Sequence, residues 1–251
     1  MQPPSTEANW QPFEDLAGFP GGISLKRDGS MSWNGQLPDE IVQNRRRYFE
    51  IVGLDPRFAV GADQVHGAEV YRVTMKDAGR GILDRETRVS GTDALITNER
   101  GLTLTTLHAD CAPVFFADPK NHAIGLAHAG RRGILAGVAG KTLQAMSKEF
   151  GSIPGNVHVA IGPTICTQAY EVSLLVAEEF AVRFGQQVVW HQDDCTYLDL
   201  VAAIMVDLLE AGLNPSRIPA RPPCTATNPL YASYRRDGAP ARSMLSWLRM
   251  M

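Results

Sequence analysis

GLTLTTLHADCAPVFFADPKNHAIGLAHAGRRGILAGVAGKTLQAM, running from Gly101 to Met146, is the stretch whose pattern decides the fold. Three apolar runs, Leu102–Leu107, Ala112–Ala117 and Ala123–Ala127, each end at a polar or glycine-containing break. Short alternating or wholly apolar runs bounded in this way predict strands of a buried sheet. His108, Asp110 and Cys111 follow the first run, and His128 follows the third. The chain then turns through His128-Ala129-Gly130-Arg131-Arg132-Gly133 into Ile134–Met146, where Leu135, Val138, Leu143 and Met146 recur at helical spacing. Strand ends that open onto a glycine turn and a helix are where α/β folds place their chemistry.

Around this centre the 251 residues suit a single domain over 1–251, since no repeat, low-complexity tract or linker divides them. A hydrophobic fraction of 44% against 20% charged residues supports a sizeable core. A net charge of −3 implies neither nucleic acid nor an anionic membrane as partner. The start, MQPPSTEANWQPFEDL, lacks the basic and apolar regions of a secretory signal, and the apolar run Leu200–Val206 is too short to span a bilayer. A cytoplasmic location is expected. Cys111, Cys166, Cys195 and Cys224 are too widely spread for a disulfide framework.

Residues 1–20 predict a flexible arm or edge strand, and Gly21–Trp33 a hairpin. Pro38–Gly53 predicts a helix capped by Asp39, with Arg45, Arg46 and Arg47 on a solvated face. Strands are expected over Phe58–Asp63, Ala68–Val73, Thr92–Thr97, Asn156–Ile161 and Val188–Trp190. Glu171–Phe184 predicts a helix with Leu174, Leu175, Ala177, Phe180 and Ala181 inward, and Leu198–Ala211 another, ended by Gly212. Ser233–Gly238 predicts a strand end, and Met244–Leu248 is the last apolar run.

His66, Cys111 and His128 all stand at predicted strand ends. A thiolate and two imidazoles suit a zinc ion and leave a fourth position open, although the spacings are far longer than a zinc finger's. The same residues suit a cysteine nucleophile with a histidine base, oriented by Asp110 or Asp93. A buried thiol with two hydrogen-bonded histidines is the plain structural alternative. Asp110 predicts either a histidine's carboxylate partner or a turn residue. Gly130-Arg131-Arg132-Gly133 predicts an anion-binding turn or an exposed helix start. Arg235 and Arg236 predict an ion pair with Asp237 or a substrate clamp. Cys166, Cys195 and Cys224 have no histidine close in sequence and read as structural.

Six ordered motifs carry a resemblance. They are Gln64-Val65-His66-Gly67, Thr92-Asp93-Ala94-Leu95, Ala109-Asp110-Cys111 with His128-Ala129-Gly130, Ile161-Gly162-Pro163 with Tyr170-Glu171-Val172, Cys224-Thr225, and Ser233-Tyr234-Arg235-Arg236-Asp237-Gly238. Together they resemble the YfiH-like, laccase-domain family, from the Asn44-Arg45 helix to the C-terminus. The resemblance implies a layered α/β/β/α fold of mixed sheets, related to the catalytic domain of cytotoxic necrotising toxins. It implies His66, Cys111 and His128 as metal ligands. Two positions depart from the family's pattern: Arg131 stands where it usually has Trp, and Cys166 where it usually has Gly.

What the resemblance implies is a zinc-dependent purine nucleoside phosphorylase, acting on adenosine, inosine and methylthioadenosine with phosphate, and deaminating adenosine. On that reading Asp110 or Glu171 moves protons, while Arg45, Arg132 or Arg235 holds phosphate and Tyr170 lies at the substrate. A second reading is a Cys/His hydrolase that removes wrongly incorporated amino acids from nucleotide-linked muramyl precursors. A third, copper oxidation of phenols, asks much of a chain with six histidines. A surface-binding subunit with a vestigial site is the non-enzymatic alternative.

Overall fold

The structure is a computed structural model that describes residues 10–13, 16, 18–34, 37–217, 220–239 and 242–251. Two sheets carry it. The first runs β1 (Gly21–Ile23), β11 (Met244–Arg249), β5 (Thr103–His108), β2 (Ala59–Gly61). The second runs β3 (Val70–Arg72), β4 (Ala94–Thr97), β7 (Ala123–Ala129), β6 (Ala112–Asp118), β8 (His158–Ile161). Both are mixed: β2 is parallel to β5 and β3 to β4, and the other pairs are antiparallel. A separate hairpin pairs β9 (Val189–Gln192) with β10 (Cys195–Leu198).

Strand alternation sorts the core into layers. Leu95, Phe115 and Leu126 face Val60, Leu104 and Leu248, filling the space between the sheets. From the same strands Ile96, Val114 and Phe116 point the other way, onto α3 (Val138–Phe150), α4 (Leu174–Phe184) and α5 (Leu200–Glu210). Across the molecule, Leu245 and Trp247 pack on Tyr48 and Phe49 of α1 (Pro38–Ile51). The result is helix, sheet, sheet, helices, which is the α/β/β/α order expected.

Several local expectations are corrected. Gly21–Trp33 forms no hairpin, because β1 pairs with β11 from the other end of the chain. Residues 1–9, 14, 15 and 17 of the expected arm lie outside the described residues, but Trp10, Phe13 and Leu16 pack on the inter-sheet core, so the described part is anchored coil. Ile134–Met146 is not one helix: α2 (Arg131–Leu135) stops, and Gly137 at φ 76° starts α3. Leu174 and Leu175 are exposed, because α4 begins only after Ser173 caps it and turns another face inward. Tyr234–Asp237 is a short helix, α6, rather than a strand end.

Arg45 is the largest correction. It is buried at 2% exposure, not solvated. Its Nε and Nη2 donate to Met31 O at 2.9 and 2.5 Å, and Nη1 donates to Gly81 O and Ile82 O at 2.8 Å each. The guanidinium also lies 4.8 Å from the Trp33 ring centroid. Burial, then the charge of Arg88, pulls its pKa down to about 9. A side chain so occupied ties α1 to two loops and does not hold phosphate. Arg45→Met should destabilise the fold by about 3–5 kcal/mol, since three buried carbonyls lose their donor. Urea titration checks this, with a lower midpoint and an unchanged slope.

Candidate metal centre

The site lies where β5 and β7 end and β6 begins, beside the turn after β2. Gln64 and His66 adopt left-handed backbone, φ 54° and 61°, and the His66 ring centroid lies 4.9 Å from that of His128, edge to face. The Gln64 side chain holds this turn by donating to Leu107 O at 2.8 Å and accepting from Leu107 N at 2.7 Å. Cys111 immediately precedes β6, and His128 lies near the end of the neighbouring β7. One ligand atom from each of His66, Cys111 and His128 lies within 4.8 Å of the others. Bonds of about 2.0–2.3 Å then reach a common ion after a small inward movement.

A single buried carboxylate sets the geometry. Asp93 Oδ1 accepts from His66 N at 3.0 Å, and Oδ2 accepts from Val65 N at 3.1 Å and Gly67 N at 2.7 Å. Oδ1 also lies 2.8 Å from His128 Nδ1. That contact keeps the proton on Nδ1 and leaves Nε2 to face Cys111 and His66. Burial alone would raise the Asp93 pKa, but His128 and the backbone donors bring it below the usual carboxylate range.

The remaining electrostatics follow. Burial would raise the Cys111 thiol, yet the charge and hydrogen bonds of His128 and His66 bring it to about 6. Burial would lower His128, yet the Cys111 thiolate and Asp93 lift it to about 9. His108, buried with Nε2 2.7 Å from Thr106 Oγ1, is held neutral by burial and by the charge of His128. Gly130 leaves room for the cluster: a Cβ there would stand 2.9 Å from His66 Cδ2 and 3.2 Å from Cys111 Sγ. Two imidazoles and an acidic thiol, oriented and packed this closely, fit a divalent metal.

The cluster forms part of the wall of a cavity of about 740 Å³, which Trp33, Asn34, Tyr170 and Arg235 also line. Arg235 sits 5.3 Å from the Tyr170 ring centroid and donates to Ala169 O and Glu171 O. Three predicted substrate residues lie elsewhere. Arg45 is buried on the inner face of α1, Arg132 is exposed on α2, and Glu171 is exposed and outside the cavity lining. Asp110 lines the cavity at φ 83° but is no histidine's partner. Its Oδ1 accepts from Thr225 Oγ1 at 2.6 Å and its Oδ2 from Arg235 N at 2.7 Å. Asp93 takes the role that was open between them. Gln64 and Thr225 were not foreseen as supports, although both lie in the motifs Gln64-Val65-His66-Gly67 and Cys224-Thr225.

Two outcomes follow. Asp93→Asn should weaken divalent-metal binding by about 10–100-fold, read by competition with a chromogenic chelator. Near pH 7.5, loading the ion should release about one proton, from His128, because Cys111 has already lost its own. Apparent affinity therefore rises with pH between about 6 and 9, the pKa values of Cys111 and His128. Calorimetry in buffers of different ionisation enthalpy reads the proton count.

Residues 21–250 match the family model described as multi-copper polyphenol oxidoreductase laccase. The chain is 35% identical over 248 residues to purine nucleoside phosphorylase YlmD of Geobacillus stearothermophilus, covering 93% of this chain and 90% of that one. The crystal structure of that YlmD superposes with a TM-score of 0.88, at 32% identity and with 93% and 92% of the two chains covered. Bacillus licheniformis YfiH, solved as a hypothetical protein, gives a TM-score of 0.91 at 25% identity over 98% of each chain. The chain therefore belongs to the YfiH-like, laccase-domain family.

Proposed function

We propose that this chain is a zinc-dependent purine nucleoside phosphorylase that acts on adenosine, inosine and methylthioadenosine and also deaminates adenosine. The observation that carries the reading is the meeting of two imidazoles and an acidic thiol on a cavity wall beside Tyr170 and Arg235. It is supported by the 35% identity to a relative named for this activity. A cavity of about 740 Å³ suits a small ligand of nucleoside size.

Zinc, when held by His66, Cys111 and His128, supplies Lewis-acid chemistry at an open fourth position. In phosphorolysis a phosphate oxygen attacks C1′ of the ribose, the bond to the base breaks, and the leaving base takes up a proton. Arg235 keeps N–H groups free beyond its two carbonyl contacts, so its guanidinium can draw the phosphate into place. Tyr170 retains its proton at neutral pH, because burial raises its pKa, and can donate to the leaving base. Arg131, in the position where Trp is usual, places a positive charge near that phenol. Asp110 is a positioning residue: both carboxylate oxygens are engaged, and they join the ligand Cys111 to the segment bearing Arg235.

One observation favours a second reading. Cys111, His128 and Asp93 also form the array of a cysteine nucleophile, its base and an orienting carboxylate. That array suits hydrolysis of an amide, such as one in a nucleotide-linked muramyl precursor. Copper oxidation of phenols is not favoured. Among the described residues His66, Cys111 and His128 are the one metal-competent group, and His122, His158 and His191 stand outside it.

The zinc-loaded protein should release free base from inosine only with phosphate present, and Cys111→Ala should lose at least about 100-fold of that activity. Chromatography of the free base reads both. No base release from any purine nucleoside would overturn the proposal. Amide cleavage that survives chelation would select the hydrolase instead.

A further inference from the structure

Outside the metal cluster, two thiols from distant parts of the chain meet. Thr164 forms a parallel bridge with Cys224, with Thr164 N donating to Pro223 O at 3.2 Å and Thr225 N donating to Thr164 O at 2.9 Å. This pairing brings Cys166 N to 3.2 Å from Cys224 Sγ and sets the two thiols in hydrogen-bond contact. Both side chains are free thiols and only half-buried, so a small solute reaches them. Neither lines the cavity or belongs to the metal cluster.

We propose that Cys166 and Cys224 are a redox modification site, closing to a disulfide when the protein meets hydrogen peroxide. The two sulfurs are unequal. Burial raises Cys166, and the neighbouring Cys224 raises it further, to about 11. Burial would raise Cys224 too, but hydrogen bonds from the Cys166 thiol and Thr227 bring it below its ordinary value. Cys224 is therefore the attacking sulfur and Cys166 the resolving one. The Cys224 thiolate attacks one peroxide oxygen, the O–O bond breaks, and the second oxygen leaves as water after taking a proton. The Cys166 sulfur then attacks the Cys224 sulfenic sulfur. The S–O bond breaks, the S–S bond forms, and a second water carries away the Cys166 proton. Two thiols lose two electrons and one peroxide becomes two waters. A dithiol reverses the step by exchange.

The bridge would fasten two segments that both hold Asp110. Thr164 Oγ1 and Ile165 N donate to Asp110 O at 2.6 and 3.0 Å, and Thr225 Oγ1 donates to its carboxylate at 2.6 Å. The site is thus one residue removed from contacts beside Cys111, and it stands whether or not the phosphorolysis reading does.

The metal-loaded full chain is treated with dilute hydrogen peroxide, its remaining thiols are alkylated under denaturing conditions, and the digest is mapped by mass spectrometry. The expected result is one linked peptide pair joining Cys166 to Cys224, two hydrogens lighter than the reduced peptides and abolished by dithiothreitol. With Cys166→Ser, Cys224 should be trapped by dimedone as the sulfenic acid, and with Cys224→Ser, Cys166 should stay unmodified. Full alkylation of both residues after peroxide, or bridging of either to Cys111 or Cys195, overturns the proposal.

Discussion

The Asp93 carboxylate is the constraint on which the site depends. Its two oxygens take three consecutive backbone N–H groups, from Val65 to Gly67, and the Nδ1 of His128. Each contact is charge-assisted, and the carboxylate that accepts them is fully buried. The turn bearing one candidate ligand and the strand bearing another are thereby joined through one side chain. The left-handed backbone at Gln64 and His66 costs free energy, and these bonds, with the clasp of Gln64 on Leu107, offset it.

Asp110 does the same for the opposite wall. It lies beside Cys111 in sequence and binds Thr225 and the Arg235 backbone, so the end of the chain is drawn against the cluster. Arg45 repeats the pattern farther out, filling three carbonyls of two loops and stacking on Trp33, which faces the cavity. In all three cases a charged side chain that looks chemically available in the sequence is engaged by backbone groups and, for the two aspartates, by a neighbouring side chain as well. Among the cavity-lining groups with unused capacity are the metal cluster, Tyr170 and Arg235.

Much was legible from local pattern. Alternating and wholly apolar runs located β4 to β8 and β11, because a residue's place in a pleated strand decides which layer it enters. Helical spacing located α1, α3, α4 and α5 to within a few residues. Local pattern misled where the partner was remote. Gly21–Ile23 resembles half of a hairpin, yet its hydrogen bonds go to Met244–Arg249. Leu174 and Leu175 are apolar, yet they sit where α4 starts and remain exposed.

The sequence by itself determined most of the elements and set His66, Cys111 and His128 near the ends of apolar runs, since these are written in spacing and residue type over short windows; the grouping of those three came from the family resemblance. Only the tertiary structure decided which carboxylate serves His128, that Arg45 is structural, and that Cys166 meets Cys224. Those pairings join residues 35, 36 and 58 positions apart. They arise when separate segments pack, a step governed by the closing of the whole core and carried by no local period.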